Sequence, residues 1–218
     1  MKAVILDMDG VIVDSAPLHQ KVEADLLEEL GGSMTREEKE AFVGTTDYHL
    51  WSTLKERYGL EPSVEEMIQM KKKRFLGEIH TISLVDGFEK VLNSLTKKGY
   101  LIALASSNNR KAVDKIVEQF QLDSYLETTM SGEDVKNGKP NPEIFLKTAA
   151  IMKVDPKECL VIEDAKNGVE AAKRAGMKCI GFDNPSSGKQ DLSKADIVLK
   201  SYEGFDLDEV EKLFESEE

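Results

Sequence analysis

The stretch Val4-Ile5-Leu6-Asp7-Met8-Asp9-Gly10-Val11 decides how the chain is read. An apolar run ending in two carboxylates one residue apart, then a glycine, has the pattern of a buried strand emerging at a sheet edge, where open α/β folds bind ligands. One carboxylate in such a place can attack an electrophile while the other handles protons. Alone, the octapeptide reads better as an ordinary strand end followed by turn-forming Asp and Gly, and the rest of the sequence reverses that preference.

Downstream, helix-patterned segments at 88–97, 111–120, 142–152 and 165–175 alternate with short apolar runs at 101–105, 126–130, 160–162 and 179–182. Alternation of this kind predicts a parallel sheet with right-handed helical crossovers. The strand at 2–6 stands apart from these, and its natural place is inside the later sheet. Between them, from Pro17 to about Ile79, the pattern is helical throughout: Val22, Leu26 and Leu30 share a face, and Gly31-Gly32 ends that helix. Thr35 with Glu38, and Ser63 with Glu66, have the Ser/Thr-x-x-Glu form that satisfies free amides where a helix begins. The predicted fold is α/β, a Rossmann-like doubly wound parallel sheet with an inserted helical cap. Residues 1–15 and 82–218 would form the core and residues 16–81 the cap, joined by linkers near 13–17 and 81–86. A cap so placed lies over the carboxyl edge of the sheet and excludes water when closed.

With 41 acidic and 29 basic residues among 218, the formal charge is −12. That balance disfavours a nucleic-acid or anionic-membrane surface, since both need clustered positive charge. The one basic run, Lys71-Lys72-Lys73-Arg74, lies between Ile68 and the pair Phe75 and Ile79 at helical spacing, and reads as a solvated helix face. Cys159 and Cys179 sit in apolar runs and read as small hydrophobes, with a single bridge between them left open. Met1-Lys2-Ala3 runs straight into a strand without the pattern of a signal peptide, and no segment approaches membrane-spanning length, so a cytoplasmic location is expected; a monomer is expected separately. The acidic end, 215–218, reads as a frayed tail. The net charge also repels anionic substrates, so a phosphate-handling site would need a metal or local cations to reverse the sign.

Three further polar clusters fall where the inferred sheet places a site. The run 101–105 leads directly into Ser106-Ser107-Asn108-Asn109, which puts hydroxyls and helix-start amides at a strand's carboxyl end. The run 160–162 ends in Glu163-Asp164, a second acidic pair at a strand end. Between them lies Gly138-Lys139-Pro140-Asn141-Pro142, which holds a lysine just ahead of a helix. Each cluster alone reads as a helix cap. Together they are chemically complete, and their order is specific.

On Asp7-Met8-Asp9-Gly10-Val11, Ser106, Lys139 in Gly-Lys-Pro-Asn-Pro, and Glu163-Asp164-Ala165-Lys166-Asn167-Gly168, the chain resembles the haloacid dehalogenase-like hydrolase superfamily over essentially its whole length. The resemblance implies that Asp7 attacks phosphorus to form an aspartyl phosphate, and that Asp9 protonates the leaving oxygen and then deprotonates water. It implies Mg2+ held by Asp7, the Asp9 main-chain carbonyl and Asp164, with Glu163 nearby; Mn2+ or Co2+ are possible substitutes. It implies Ser106 and Lys139 on the phosphoryl oxygens, so that Lys139→Ala is expected to lose activity with folding unchanged. The acid at Asp9 favours a phosphoryl substrate over a haloacid, because carbon–halide cleavage needs neither a leaving-oxygen acid nor a metal.

Within the superfamily the chain is similar to the β-phosphoglucomutase-like group through Asp14-Ser15, His19 and the run 102–106. That similarity makes Ser15 and His19 candidates for substrate contact, with Gly44, Thr45, Ser107 and Asn108. Mutases of the group carry a Lys-Gly pair and then an Arg on the cap to bind a distal phosphate, whereas here Val43 and Asp47 stand at the two cationic positions. A dianion meeting a carboxylate there would cost roughly 3–5 kcal/mol. The expected activity is therefore a phosphatase acting on small phosphorylated sugars, with β-phosphoglucomutase as the alternative. A phospho-receiver-like switch is disfavoured, because a receiver needs only about 120 residues and no inserted cap.

Overall fold

The computed structural model describes residues 1–42 and 45–215. Strand β1 (Ala3–Leu6) is wholly buried and pairs in parallel with two later strands, β4 (Leu101–Ala105) and β6 (Cys159–Glu163). With β5 (Thr128–Met130), β7 (Lys178–Phe182) and β8 (Ile197–Leu199) they form one six-stranded parallel sheet in the order β5-β4-β1-β6-β7-β8. The chain builds outward from β1 to β4 and β5, then returns to the other side of β1 for β6, β7 and β8. The strand order thus reverses at β1, and ligand clefts of doubly wound sheets open at such a point.

Side chains alternate across β1. Val4 and Leu6 join Leu104, Ile162 and the inner faces of α5 (Phe88–Lys98) and α6 (Arg110–Gln119). Ala3 and Ile5 join Ala103, Val161 and the faces of α7 (Glu143–Met152) and α8 (Lys166–Arg174). Burial on both faces explains why these strands read as continuous apolar runs rather than alternating ones.

The segment between β1 and β4 holds α1 (Ala16–Glu29), α2 (Arg36–Phe42), α3 (Asp47–Tyr58) and α4 (Val64–Glu78). Both capping boxes form: the Thr35 and Ser63 hydroxyls accept from the Glu38 and Glu66 amides, and those glutamates accept from the Thr35 and Ser63 amides in return. Gly31, at φ 90°, ends α1 as its spacing predicts. Leu26, Leu27, Leu50, Trp51, Leu54 and Met67 make a separate cluster among α1, α3 and α4, while Leu18, Val22 and Phe75 join the main core.

Three elements differ from the sequence reading. The two linkers contain short strands, β2 (Val13–Asp14) and β3 (Ser83–Leu84), which pair antiparallel and tie the two crossings together. Strand β8 has no polar cluster to announce it and is half-exposed at the sheet edge. Lys71 is not part of a solvated face: it lies one turn before Phe75 on the buried stripe of α4, 6% exposed, and is neutralised by Glu23 at 2.6 Å and by Asp47. Lys72 and Lys73 are exposed as expected. Cys159 and Cys179 are buried free thiols, and among the described residues no helix is long and apolar enough to cross a membrane. The expectation for Glu215 to Glu218 falls mostly on residues 216–218, outside the described residues.

Candidate active site

The carboxyl ends of β4, β1 and β6 lie side by side. Asp7 continues β1, its amide donating to the Ile162 carbonyl at 3.0 Å, and Glu163 closes β6. Lys139 reaches in between them. Its ammonium donates to Asp7 Oδ1 at 2.5 Å, Glu163 Oε1 at 2.8 Å and the Ala105 carbonyl at 3.1 Å, and stands 5.0 Å from the centre of the Phe145 ring. Lysine, aspartate and glutamate are all buried here, so the contact is a desolvated ion cluster in which each charge depends on the others. The second oxygen of Glu163 accepts the Ala165 amide at 2.8 Å, which fixes the carboxylate at the start of α8.

Asp9 is held from two sides. Ser15 Oγ donates to Asp9 Oδ1 at 2.5 Å, and Asn108 Nδ2 donates to Oδ2 at 2.5 Å. Asp164 Oδ2 accepts from Ser187 Oγ. Gly10 sits between these groups at φ 71°, a conformation that L side chains rarely adopt, and a Cβ there would lie 2.1 Å from Asp164 Oδ2. Gly168 is equally constrained, since a Cβ would meet Glu163 Oε1 at 1.6 Å. The glycines of both acidic motifs are thus demanded by the close approach of carboxylates.

Four carboxylates face one ammonium, and the electrostatics reflect that excess. Burial pushes the Asp7 carboxyl up, Lys139 pulls it back, and Glu163 and Asp9 push it up again, to about 7. Burial, then Glu163 and Asp7, raise Asp164 well above the usual carboxylate range. Burial alone would lower Lys139, but Asp7 and Glu163 outweigh it and its pKa lies above the ordinary lysine value. A hard divalent cation is the natural complement to such a surplus of oxygen charge. Among the described residues no three His, Cys, Asp or Glu side chains form a closed metal cage. Magnesium needs none, because it keeps several waters and takes one or two carboxylates. Asp7 and Asp164, with the Asp9 carbonyl, fit that requirement.

These groups open into a cleft of about 530 Å³. Its floor is Asp7, Asp9, Lys139, Glu163 and Asp164, and its far wall is His19, Gln20 and Glu23 of α1 with Lys39, Phe42 and Thr45. Of the sequence-predicted residues, Ser15, His19, Thr45 and Ser107 line the cleft. Gly44 lies outside the described residues. Asn108 is committed to Asp9 rather than to the cleft, and Ser106 is 1% exposed, its Oγ accepting the Asn108 amide at 3.1 Å. The hydroxyl proton of Ser106 remains available to donate. His19 stacks on Phe75 at 4.2 Å, and burial, with Lys71 behind it, lowers its pKa to about 4, so the ring is neutral near pH 7.

Sequence reasoning missed the loop after β7. Asn184 Nδ2 donates to the Gly10 carbonyl at 2.9 Å, Ser187 holds Asp164, and Ser186 and Gln190 line the cleft rim. Tyr202 Oη also supports the first motif, donating to the Val11 carbonyl at 2.8 Å. The run Asp183-Asn184-Pro185-Ser186-Ser187-Gly188 follows a strand end beside β6, the same signal that marked Ser106, and could have been read in the same way.

The model of the haloacid dehalogenase-like hydrolase family matches residues 4–182, which include Asp7, Asp9, Ser106, Lys139, Glu163 and Asp164 but not the loop after β7. The chain belongs to this family. A phosphorylated carbohydrates phosphatase of Thermotoga maritima is 32% identical over 83% of this chain and 84% of its own length. Hexitol phosphatase B of Escherichia coli K12 is 30% identical over 91% of each. Among solved structures, β-phosphoglucomutase of Clostridium difficile superposes on 98% of this member of the family and 97% of its own chain, at a TM-score of 0.78 and 25% identity.

Proposed function

We propose that the protein is a Mg2+-dependent phosphatase that hydrolyses small phosphorylated carbohydrates through an aspartyl phosphate on Asp7. The arrangement of Lys139 between Asp7 and Glu163 carries this reading: an ammonium fixed within 2.5 Å of a carboxylate oxygen at the sheet's switch point can lead a phosphoryl group to that carboxylate. The names of the two phosphatase relatives support the substrate class. In this reading residues 1–15 and 82–218 carry the chemistry and residues 16–81 act as a cap that shields the cleft from water.

The Asp7 carboxylate forms the bond to phosphorus as the ester oxygen leaves. Asp9 donates a proton to that oxygen and then takes one from the water that attacks the aspartyl phosphate. Ser15 and Asn108 hold Asp9 in position for both transfers. Lys139 and the Ser106 hydroxyl hold phosphoryl oxygens, and Glu163 keeps Lys139 aimed. Asp7, Asp164 and the Asp9 carbonyl would hold Mg2+, which supplies charge neutralisation of the incoming phosphoryl group.

β-Phosphoglucomutase remains the second reading, because the C. difficile enzyme shares the fold over the whole chain. The sequence argument against it needs one correction. Asp47 is not a free carboxylate facing a distal phosphate, since it is paired with Lys71. The corrected local balance is Glu23 and Asp47 against Lys71, with Lys39 on the same wall, so the wall carries no surplus of positive charge to bind a second dianion. Release of inorganic phosphate from a panel of hexose and hexitol monophosphates, with and without Mg2+ or a chelator, tests the proposal. Phosphate release that requires the metal is expected. Conversion of β-glucose 1-phosphate to glucose 6-phosphate without inorganic phosphate would establish the mutase instead.

A further inference from the structure

Ser15, His19 and Glu23 follow one another at intervals of four residues, so they line up along one face of α1. Ser15 is bonded to Asp9 at the reacting end of the cleft, and Glu23 stands about 12 Å further along the helix, at 1.5 Å per residue. Both face the same cavity. A carboxylate in the wall opposite a phosphate site is unexpected in a cleft that must admit an anion, and it requires a role.

Glu23 is also held in place. Lys71 of α4 contacts Glu23 Oε1 at 2.6 Å and is itself bound by Asp47 at the start of α3. The Glu23 side chain is 15% exposed and that of Lys71 7%; of the three, only Glu23 lines the cleft. Within the same wall, the Nδ1 atom of His19 is buried without a hydrogen-bond partner. A carboxylate fixed by a buried lysine keeps lone pairs free to accept from hydroxyl groups and repels a second phosphate or carboxylate.

We infer that Glu23, oriented by Lys71, reads the hydroxyl-bearing end of the substrate far from the phosphate, and thereby selects monophosphates of extended polyhydroxy compounds over bisphosphates and over esters without hydroxyls. This rests on the phosphatase reading above and deepens it. The rise of about 12 Å along α1 from Ser15, at the reacting end, to Glu23 suits a hexitol phosphate better than a glycerol phosphate, so chain length enters the selection as well. Lys39, on the same wall, is the cation that works against exclusion of a second phosphate.

The test compares Glu23→Leu and Glu23→Gln with the unaltered enzyme on glucitol 6-phosphate and phenyl phosphate, with glucose 1,6-bisphosphate as a competitor. For Glu23→Leu, KM for glucitol 6-phosphate is expected to rise on the order of 10- to 100-fold, the value of a hydrogen bond to a charged group, with kcat nearly unchanged. Turnover of phenyl phosphate should change less than about twofold, since it makes no such contact. Glu23→Gln keeps the shape and one acceptor oxygen, so it should lose less toward glucitol 6-phosphate and bind the bisphosphate more tightly than the unaltered enzyme does. An unchanged KM for glucitol 6-phosphate in both variants, an equal rise for phenyl phosphate, or tighter binding of the bisphosphate than of the monophosphate by the unaltered enzyme would each overturn the assignment of Glu23 while leaving the phosphatase intact. No phosphate release from either ester by the unaltered enzyme would overturn the phosphatase reading, and this inference with it.

Discussion

Asp7→Asn is expected to reduce kcat for sugar phosphate hydrolysis by on the order of 10,000-fold or more, because it would remove the proposed nucleophile and leave no neighbouring carboxylate free to replace it. Asp9 is turned toward Ser15 and Asn108, Glu163 toward Lys139 and the Ala165 amide, and Asp164 toward Ser187. The asparagine keeps an oxygen for Mg2+ and the shape of the side chain, so metal binding should persist. It also relieves one of four crowded carboxylates, so the melting temperature should stay level or rise. Steady-state phosphate release and a thermal melt check both halves. Retention of more than a tenth of the activity would show that Asp7 is not the nucleophile.

Lys139→Ala should be nearly as damaging, by two routes. Losing one preorganised cation on the phosphoryl oxygens costs on the order of 100- to 1,000-fold in rate. The sequence reading expected folding to be untouched, and the structure revises that: Lys139 is buried against Asp7 and Glu163, and removing one partner of a buried cluster costs roughly 3–5 kcal/mol. The loss should grow with pH: Asp7, at about 7 even with Lys139 pulling it down, can take up a proton in acid and needs the lysine least there, and it needs the lysine most above pH 7. Denaturant unfolding at pH 5.5 and 8 measures this difference. A stability equal to that of the unaltered protein at both values would mean that the lysine contributes only to catalysis.

The sheet was legible because its strands are buried on both faces and end in polar residues: β1, β4, β6 and β7 all fall within two residues of where their apolar runs lie. Strand β8 was not, since an edge strand half in water carries a weak apolar signal. The β2–β3 pair was hidden for another reason: two residues from each side, distant in sequence, have no local pattern of their own. Within the site, the side chains that carry charge could be read from strand ends. What holds them could not, because Asn108 on Asp9 and Ser187 on Asp164 are contacts between loops that only the assembled sheet brings together. Lys71 shows the same limit on the cap side: sequence spacing placed it on a basic face, and only its pairing with Glu23 and Asp47 accounts for a lysine on an apolar stripe.

In the proposed mechanism Asp7 takes the phosphoryl group and Asp9 releases it, and the two steps separate in an Asp9→Asn variant given an aryl phosphate. A nitrophenolate leaving group needs no proton, so the first step should proceed, while hydrolysis, which needs Asp9 as base, should stall. Rapid mixing with p-nitrophenyl phosphate and Mg2+, followed by acid quench and peptide mass analysis, is the direct measurement. A burst of one nitrophenolate per enzyme molecule is expected, with a phosphoryl group on the peptide that contains Asp7. Continued turnover without a burst, and with Asp7 unmodified, would contradict it.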